Sequence, residues 1–352
     1  MRELFGPVLD RRSLQAVAAL LERPICAVDV GCRDGVRAQW RELGSHGVLI
    51  GFEADAEECA RLNDVAGQAG NERYEPLALA AHAGSATLHL TADPQSASLY
   101  PPNADAIRRH PELWRHEPRG TASVETTTLD RWAADRPIDV LKVDVQGAEL
   151  DVLRGGESAL AAMRAVEIEV EFQPVYVGQP LFGDVDSFMR AHGFVLWRLR
   201  DIAHCGLTPA RRDESAFVVG AAAETTRTGG RITWANAVYV REEAADGDVA
   251  RDWTVSARDA CVAALFDLPE LVVLNLERAS RAAEGGARRT LRRQLRRARR
   301  RANRRRLHGL FWGAPRHLRG FIGARLIGML ARTARGRWAV TGTGTGTAAG
   351  AT

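Results

Sequence analysis

The residues best suited to chemistry lie in LKVDVQGAELDVLRGG, Leu141 to Gly156. Lys142 is the single lysine among 48 basic residues, in a chain that otherwise writes arginine. A compact ammonium and a planar guanidinium are not interchangeable, so its retention beside Asp144 points to a role for that one charge. Lys142 and Asp144 fall two apart in a strand-like run and share a face. In AVEIEVEF, Ala165 to Phe172, the carboxylates Glu167, Glu169 and Glu171 also alternate onto one face. Buried carboxylates are costly unless paired, and a Lys142–Glu169 ion pair across neighbouring strands is the expected solution. Glu171 lies nearest the carboxyl end, where open parallel sheets bind ligands. It is a candidate general base or substrate anchor, or else a solvent-facing residue. Asp144 is the other candidate base, or a cation ligand; spacing places no further donors for an ion, so no metal is assigned.

A second constellation precedes it. Asp29-x-Gly31-x-x-x-Gly35 ends an apolar run, where glycine lets a ligand approach the backbone. A nicotinamide fingerprint would need glycines at 31, 33 and 36, but Arg33 and Val36 stand there, which disfavours a dinucleotide. Glu53, eighteen residues past Gly35, ends the next apolar run and is placed to accept hydrogen bonds from both hydroxyls of a ribose. Together these fit a nucleoside ligand without pyrophosphate, such as S-adenosylmethionine. The histidines show no metal-ligand spacing; of them His110, His116 and His204 are those to test as a base.

The elements that must position these groups alternate. Ile25–Gly35, Val48–Asp55, Tyr74–Ala80, Ile138–Asp144 and Ala165–Phe172 read as strands, with helical patterns such as 56–66 between them. That alternation predicts an α/β fold, a mostly parallel, doubly wound sheet covered on both faces. SATLHL (85–90) adds a short strand, residues 91–120 read as a loop or lid, and 184–192 as a helix. Strands near 194–200 and 215–221 are expected to close the sheet, with RITWANAVYV one more. Expected segments are an N-terminal helix (1–24), a sheet domain (25–240), a helical extension (241–285), an arginine-rich amphipathic tail (286–340) and a low-complexity end (341–352).

The net charge of +4 hides an asymmetry. Residues 286–338 carry 18 arginines and no acidic residue, which leaves 30 basic residues against all 44 acidic ones in the body. Three readings of the tail follow: a nucleic-acid arm, a segment at an anionic membrane surface, or a partner for the acidic body. Leu310, Phe311, Trp312, Phe321 and Ile322 interleave with arginine, which favours the membrane over 288–331. The five scattered cysteines form no CxxC pair, which fits a reducing compartment. No signal-peptide pattern opens the chain and no apolar run approaches a membrane span. The expected location is cytoplasmic, peripheral at the inner membrane face.

DVGCRDG, GFEAD and LKVDVQGAELDVLRGG, in that order and spacing, resemble the FkbM family of S-adenosylmethionine-dependent methyltransferases. EVEFQPVYVGQPLFGDVDSFMRAHGF is similar to the segment that follows in that family, and SASL (Ser96–Leu99) to its serine-rich loop. The likeness covers about residues 25–240 and does not reach the tail. It departs at Arg33-Asp34, where many relatives carry a small residue and asparagine. The resemblance implies a Rossmann-like class I methyltransferase fold with a reversed final strand. It implies O-methylation of a hydroxyl on a sugar, glycan or secondary metabolite. By matching position, Asp29, Gly31, Asp34, Gly35 and Glu53 bind the cofactor. By the same matching Lys142, Asp144 and Glu149 line the site; the expected catalytic set is Lys142, Asp144 and Glu171, with Asp144 or Glu171 as base and Lys142 holding the carboxylate geometry, and Ser98 and Glu149 are expected to contact substrate. The acceptor's identity would be set by the 91–120 and 173–183 loops. The competing reading is an RNA- or nucleic-acid-binding or -modifying protein using the tail. Against it, the body is acidic and offers no evident basic groove or stacking aromatics.

Overall fold

Short runs of Val, Ile, Leu and Ala build the central sheet, and their near-continuous apolar character is what two buried faces demand. The computed structural model describes residues 6–67, 70–134, 136–205, 218–219, 231–245 and 252–313. In chain order the strands are β1 (Ile25–Val30), β2 (Gly47–Phe52), β3 (Glu72–Glu75), β4 (Ala78–Leu79), β5 (Gly84–Thr91), β6 (Pro118–Thr127) and β7 (Val140–Val143). Then follow β8 (Ala165–Glu171), β9 (Phe194–Arg200), β10 (Ala203–Cys205), β11 (Val218–Val219), β12 (Arg231–Ile232) and β13 (Trp234–Arg241). Seven of them form one sheet in the order β3-β2-β1-β7-β8-β13-β9. Strands β1, β2, β3, β7 and β8 pair in parallel, while β13 runs antiparallel between β8 and β9. The strand order reverses between β1 and β7, and crevices that bind ligands open at such points, beyond the carboxyl ends.

Two apolar layers hold the sheet. One packs Trp40, Leu43 and Leu49 against helices Trp253–Leu265 and Pro269–Ala282, and takes in Leu291 and Leu295 of helix Gly285–Gly313. The other packs Val30, Phe52, Val143 and Ile168 against Leu150 and Leu153 of helix Glu149–Arg154 and Met189 of helix Phe182–Ala191. The chain divides into a unit of Val8–Ala298 and a smaller one joining Met1–Pro7 to the residues from Arg299 onward. The helices expected as an extension after 241 thus share the core of the sheet. Among the described residues no helix is long and apolar enough to cross a membrane.

Three expectations change. The run 74–80 is two strands: Pro76 lacks the N–H a ladder needs, so β3 stays in the main sheet while β4 joins β5 and β6 in a second one. The 91–120 stretch is largely ordered, with helix Ala104–Arg109, 3-10 turns at Pro94–Ser96 and Pro111–His116, and the start of β6, which pairs antiparallel with β5. Its polar composition concealed a strand whose side chains are mostly exposed. Of 215–221 only β11 is described, and it joins β10 and β12 in a small separate sheet rather than closing the main one. The low-complexity end, 341–352, lies outside the described residues.

Asp139 ties the layers at the amino ends of the strands. Fully buried, it accepts from Arg23 Nη1 at 2.7 Å, Arg258 Nη1 at 3.0 Å and the Cys26 amide at 2.9 Å. Removing one partner of a buried pair strands the other charge, a loss of about 3–5 kcal/mol when both are buried. Arg23 keeps part of its hydration, so the Asp139→Ala variant is expected to lose about 3 kcal/mol in urea denaturation. A change within experimental error would show that the carboxylate holds nothing.

Candidate active site

Lys142 stands directly opposite Asp29 on β1 and Glu167 on β8. Its ammonium turns to Asp29 Oδ1 at 3.2 Å and Asp144 Oδ2 at 3.3 Å. Burial opposes the charged lysine, but the two carboxylates outweigh it and raise its pKa. Burial also pushes Asp29 up, against the pull of Lys142. For Asp144, burial is overcome by Lys142 and by hydrogen bonds from its neighbours, which hold the carboxyl below its usual range. The expected Lys142–Glu169 pair does not form. Glu169 lies two residues beyond the position opposite Lys142, whereas Asp29 lies directly across, and the short ammonium reach selects Asp29. Glu167 is instead clamped between Arg37 and Arg200.

The loop after β1 passes so close to β7 that a side chain has no room. An added Cβ on Gly31 would sit 1.9 Å from the Asp144 carbonyl oxygen, and the φ of +79° disfavours other residues as well. Asp29 Oδ2 accepts from the Arg37 amide at 3.0 Å, which fixes the loop from beneath. Above it opens a cavity of about 410 Å³, lined by Gly31, Glu53 and Asp144 and by apolar Phe52, Leu88 and Leu90. Glu53 Oε1 accepts from the Asp55 amide at 2.9 Å, and its other oxygen takes no hydrogen bond among the described residues. Burial raises the Glu53 pKa. A carboxylate with a spare oxygen, a side-chain-free backbone wall and apolar sides fit a ribose and a base, and so fit S-adenosylmethionine.

A second cavity of about 350 Å³ adjoins the first, and Gln95 and Gln146 line both. Its walls include Glu169, Glu171, Arg115, His116, Tyr176 and Trp234. Gln146 sits at the junction with φ +59°, a left-handed conformation rare for a residue with a side chain. Four hydrogen bonds hold it there. Its Nε2 donates to Glu169 Oε2 at 2.7 Å and Asp144 Oδ1 at 3.2 Å, the Tyr176 hydroxyl donates to its Oε1 at 3.1 Å, and Ser98 Oγ donates to its carbonyl at 2.6 Å. Carboxylate oxygens of Asp144, Glu149 and Glu169 lie within 4.8 Å of one another. Burial, then repulsion from Asp144 on Glu169 and from Glu149 and Asp144 on Glu171, raises both well above their ordinary value, and burial pushes Glu149 up to about 7.

Of the cofactor positions expected from sequence, Gly31 and Glu53 line the first cavity, and Asp29 lies under its floor. Asp34 and Gly35 do not line it: the Asp34 carboxylate accepts from Gln95 Nε2 at 2.9 Å, and Gly35 faces Tyr74 on the far side. Asp144 and Ser98 line the first cavity and Glu171 the second. Glu149 lines neither, because its carboxylate folds back onto the Val145 and Gly147 amides at 2.8 and 2.9 Å. Sequence reasoning missed Gln146 and Gln95; the only local signal was the glycine after Gln146, which marks a tight turn.

Strand order, the reversed β13 and a cavity over the ends of β1 and β2 together define the class I S-adenosylmethionine-dependent methyltransferases. The description Methyltransferase FkbM domain matches residues 29–196, and the chain is 31% identical over 183 residues to 2-O-methyltransferase NoeI of Sinorhizobium fredii, covering 49% of this chain and 74% of that protein. The chain belongs to the FkbM methyltransferase family and is an S-adenosylmethionine-dependent methyltransferase. Among solved structures it is similar to the magnesium protoporphyrin IX methyltransferase of Synechocystis PCC 6803 with bound S-adenosylmethionine, at 11% identity and a TM-score of 0.30, over 66% of this chain and 79% of that one. It is also similar to the precorrin-6y C5,15-methyltransferase of Geobacter metallireducens, at 9% identity and a TM-score of 0.32, over 65% and 86%.

Glu171 has a raised pKa in the folded chain, so its contribution to stability is present below its unfolded value of about 4.3 and is lost as pH rises through the folded value. Glutamine keeps the shape and removes that loss. The Glu171→Gln variant is expected to melt higher than the wild type at pH 8, with the gap shrinking toward pH 5. A gap independent of pH would mean that the carboxyl is ionised throughout.

Proposed function

We propose that this chain is an O-methyltransferase acting on a hydroxyl of a sugar or glycan. The observation that carries the reading is the pair of cavities joined at Gln95 and Gln146. The first holds the cofactor, with the free oxygen of Glu53 accepting from the ribose and Gly31 letting it lie against the β1 loop. Bound S-adenosylmethionine supplies a methyl group activated by its sulfonium. The second cavity would take the acceptor, with Gln95 and Gln146 between it and the cofactor cavity. Glu169 and Glu171, which burial pushes toward the protonated form, with Arg115 and Trp234, offer the mixed polar and aromatic wall that a neutral sugar ring uses. Lys142 contacts both Asp29 and Asp144, so that the loop and the junction hold their geometry. A relative named as a 2-O-methyltransferase supports oxygen as the nucleophile.

Incubation with methyl-labelled S-adenosylmethionine and a panel of methyl pyranosides is expected to give a labelled ether. Hydrogen bonds to a charged group contribute about 1.5–3 kcal/mol, so Glu53→Gln should raise the KM for the cofactor about 10–100-fold with kcat little changed. No labelled glycoside from any pyranoside would remove the sugar reading; an unchanged KM would remove Glu53 from the cofactor site.

We also propose that the arginine-rich helix meets an anionic membrane surface. On helix Gly285–Gly313, Arg289, Arg292, Arg293, Arg296 and Arg297 are exposed while Leu291, Gln294 and Leu295 face the core. The apolar positions expected to insert beyond 313 lie outside the described residues. The full chain should sediment with phosphatidylglycerol vesicles and not with phosphatidylcholine vesicles, and added salt should release it. Equal sedimentation with both lipids would contradict a charge-driven contact.

A further inference from the structure

We propose that His116 is the general base of methyl transfer, taking the proton of the acceptor hydroxyl through Nε2; this rests on the second cavity being the acceptor site. His116 is the last residue of the 3-10 turn Pro111–His116 and lines that cavity while nearly all of its surface is buried. Its Nδ1 lies 3.3 Å from the Leu113 carbonyl oxygen. A carbonyl can only accept, so in the neutral ring Nδ1 carries the proton and Nε2 is left as a bare lone pair. Among the described residues Nε2 takes no hydrogen bond. Tyr176 fixes the plane of the ring, meeting it edge-on with centroids 5.6 Å apart at 71°.

The other acceptors around His116 are engaged; the Asp93 carboxylate pairs with Arg115 at 3.5 Å and accepts from the Gln95 amide at 3.1 Å. Tyr176 gives its hydroxyl hydrogen to the Ser96 carbonyl at 2.7 Å and to Gln146, and burial raises its pKa well above the phenol range. Burial, with repulsion from neighbouring carboxylates, raises Glu169 and Glu171 well above their ordinary range and disfavours the bare carboxylate, and Glu169 already accepts from Gln146. Asp144 is ionised, but Lys142 occupies it and lowers its basicity. Asp93 and Arg115 flank His116 with opposite effects, and burial, the largest influence, lowers its pKa below the ordinary histidine value. The shift favours the neutral ring, the form in which a histidine can accept a proton.

In the step assigned here the acceptor oxygen forms a bond to the methyl carbon as the carbon–sulfur bond breaks. The electron pair of that bond leaves on sulfur, giving neutral S-adenosylhomocysteine, and the hydroxyl proton passes to His116 Nε2. The products are a methyl ether and an imidazolium, which returns its proton to water.

His116→Asn keeps a donor near Nδ1 for the Leu113 carbonyl and removes the base. It should lower kcat on methyl pyranosides about 10²–10⁴-fold. The affinity for S-adenosylhomocysteine by calorimetry should stay that of the wild type. The wild-type rate should fall on the acid side as His116 protonates, and that limb should be missing from the variant. In His116→Ala, free imidazole should restore part of the rate. Nitrogen NMR of the histidine-labelled wild type, with the resonance assigned by its loss in His116→Asn, should show the Nδ1–H tautomer, neutral at pH 7. A retained kcat, a retained acid limb, no rescue by imidazole, or a ring that is Nε2–H or charged at neutral pH would each overturn the assignment. If the wild type methylates no pyranoside, the sugar reading fails, and the NMR tautomer alone then supports or overturns His116 as a competent base.

Discussion

The site depends on one ammonium placed between a buried carboxylate and a half-buried one. Asp29 ends β1, Asp144 follows β7, and Lys142 bridges them across the point where the strand order reverses. Burying either carboxylate alone would favour its neutral form, and a neutral Asp29 would accept more weakly from the Arg37 amide that fixes the glycine loop. The same economy extends outward. Glu167 is neutralised by two arginines, Glu149 accepts from backbone amides, and burial pushes Glu169 and Glu171 toward the protonated form. An acidic strand edge is made tolerable by four different devices, and each leaves a distinct chemical character at its position.

The cavities show how such a patchwork becomes a site. Gln146 accepts a backbone conformation that costs about 1–3 kcal/mol for a residue with a side chain. Its bonds to Asp144, Glu169, Tyr176 and Ser98 recover that cost from four separate elements. The residue at the junction of the two cavities is thus also the one most completely determined by its surroundings. Strain at this point is what positions an amide where the β7 loop, the serine loop and the Tyr176 loop converge.

Much of this was readable in the chain. Local periodicity located β1, β2, β7 and β8, and the order of glycine loop, acidic strand end and lysine strand located the family. What failed was pairing. The spacing of Lys142 and Glu169 is compatible with contact, but register is a property of two strands at once, and only the fold reveals that Asp29 lies directly across. Asp34 and Glu149 had the right types in the right motifs, yet their carboxylates are taken by Gln95 and by backbone amides. The 91–120 stretch read as a lid because its strand is solvent-exposed, and exposure erases the alternation that marks a strand. His116 and Trp234 reach one cavity from segments more than a hundred residues apart, a proximity no local pattern encodes.

The lone lysine has a consequence for handling the protein. Reagents that acylate or crosslink amines attack the neutral nucleophile, and Lys142 is half-buried, charged and held by two carboxylates. Lysine-directed dyes and crosslinkers therefore have no second lysine to modify, and reaction at Lys142 becomes a direct report that the sheet has opened.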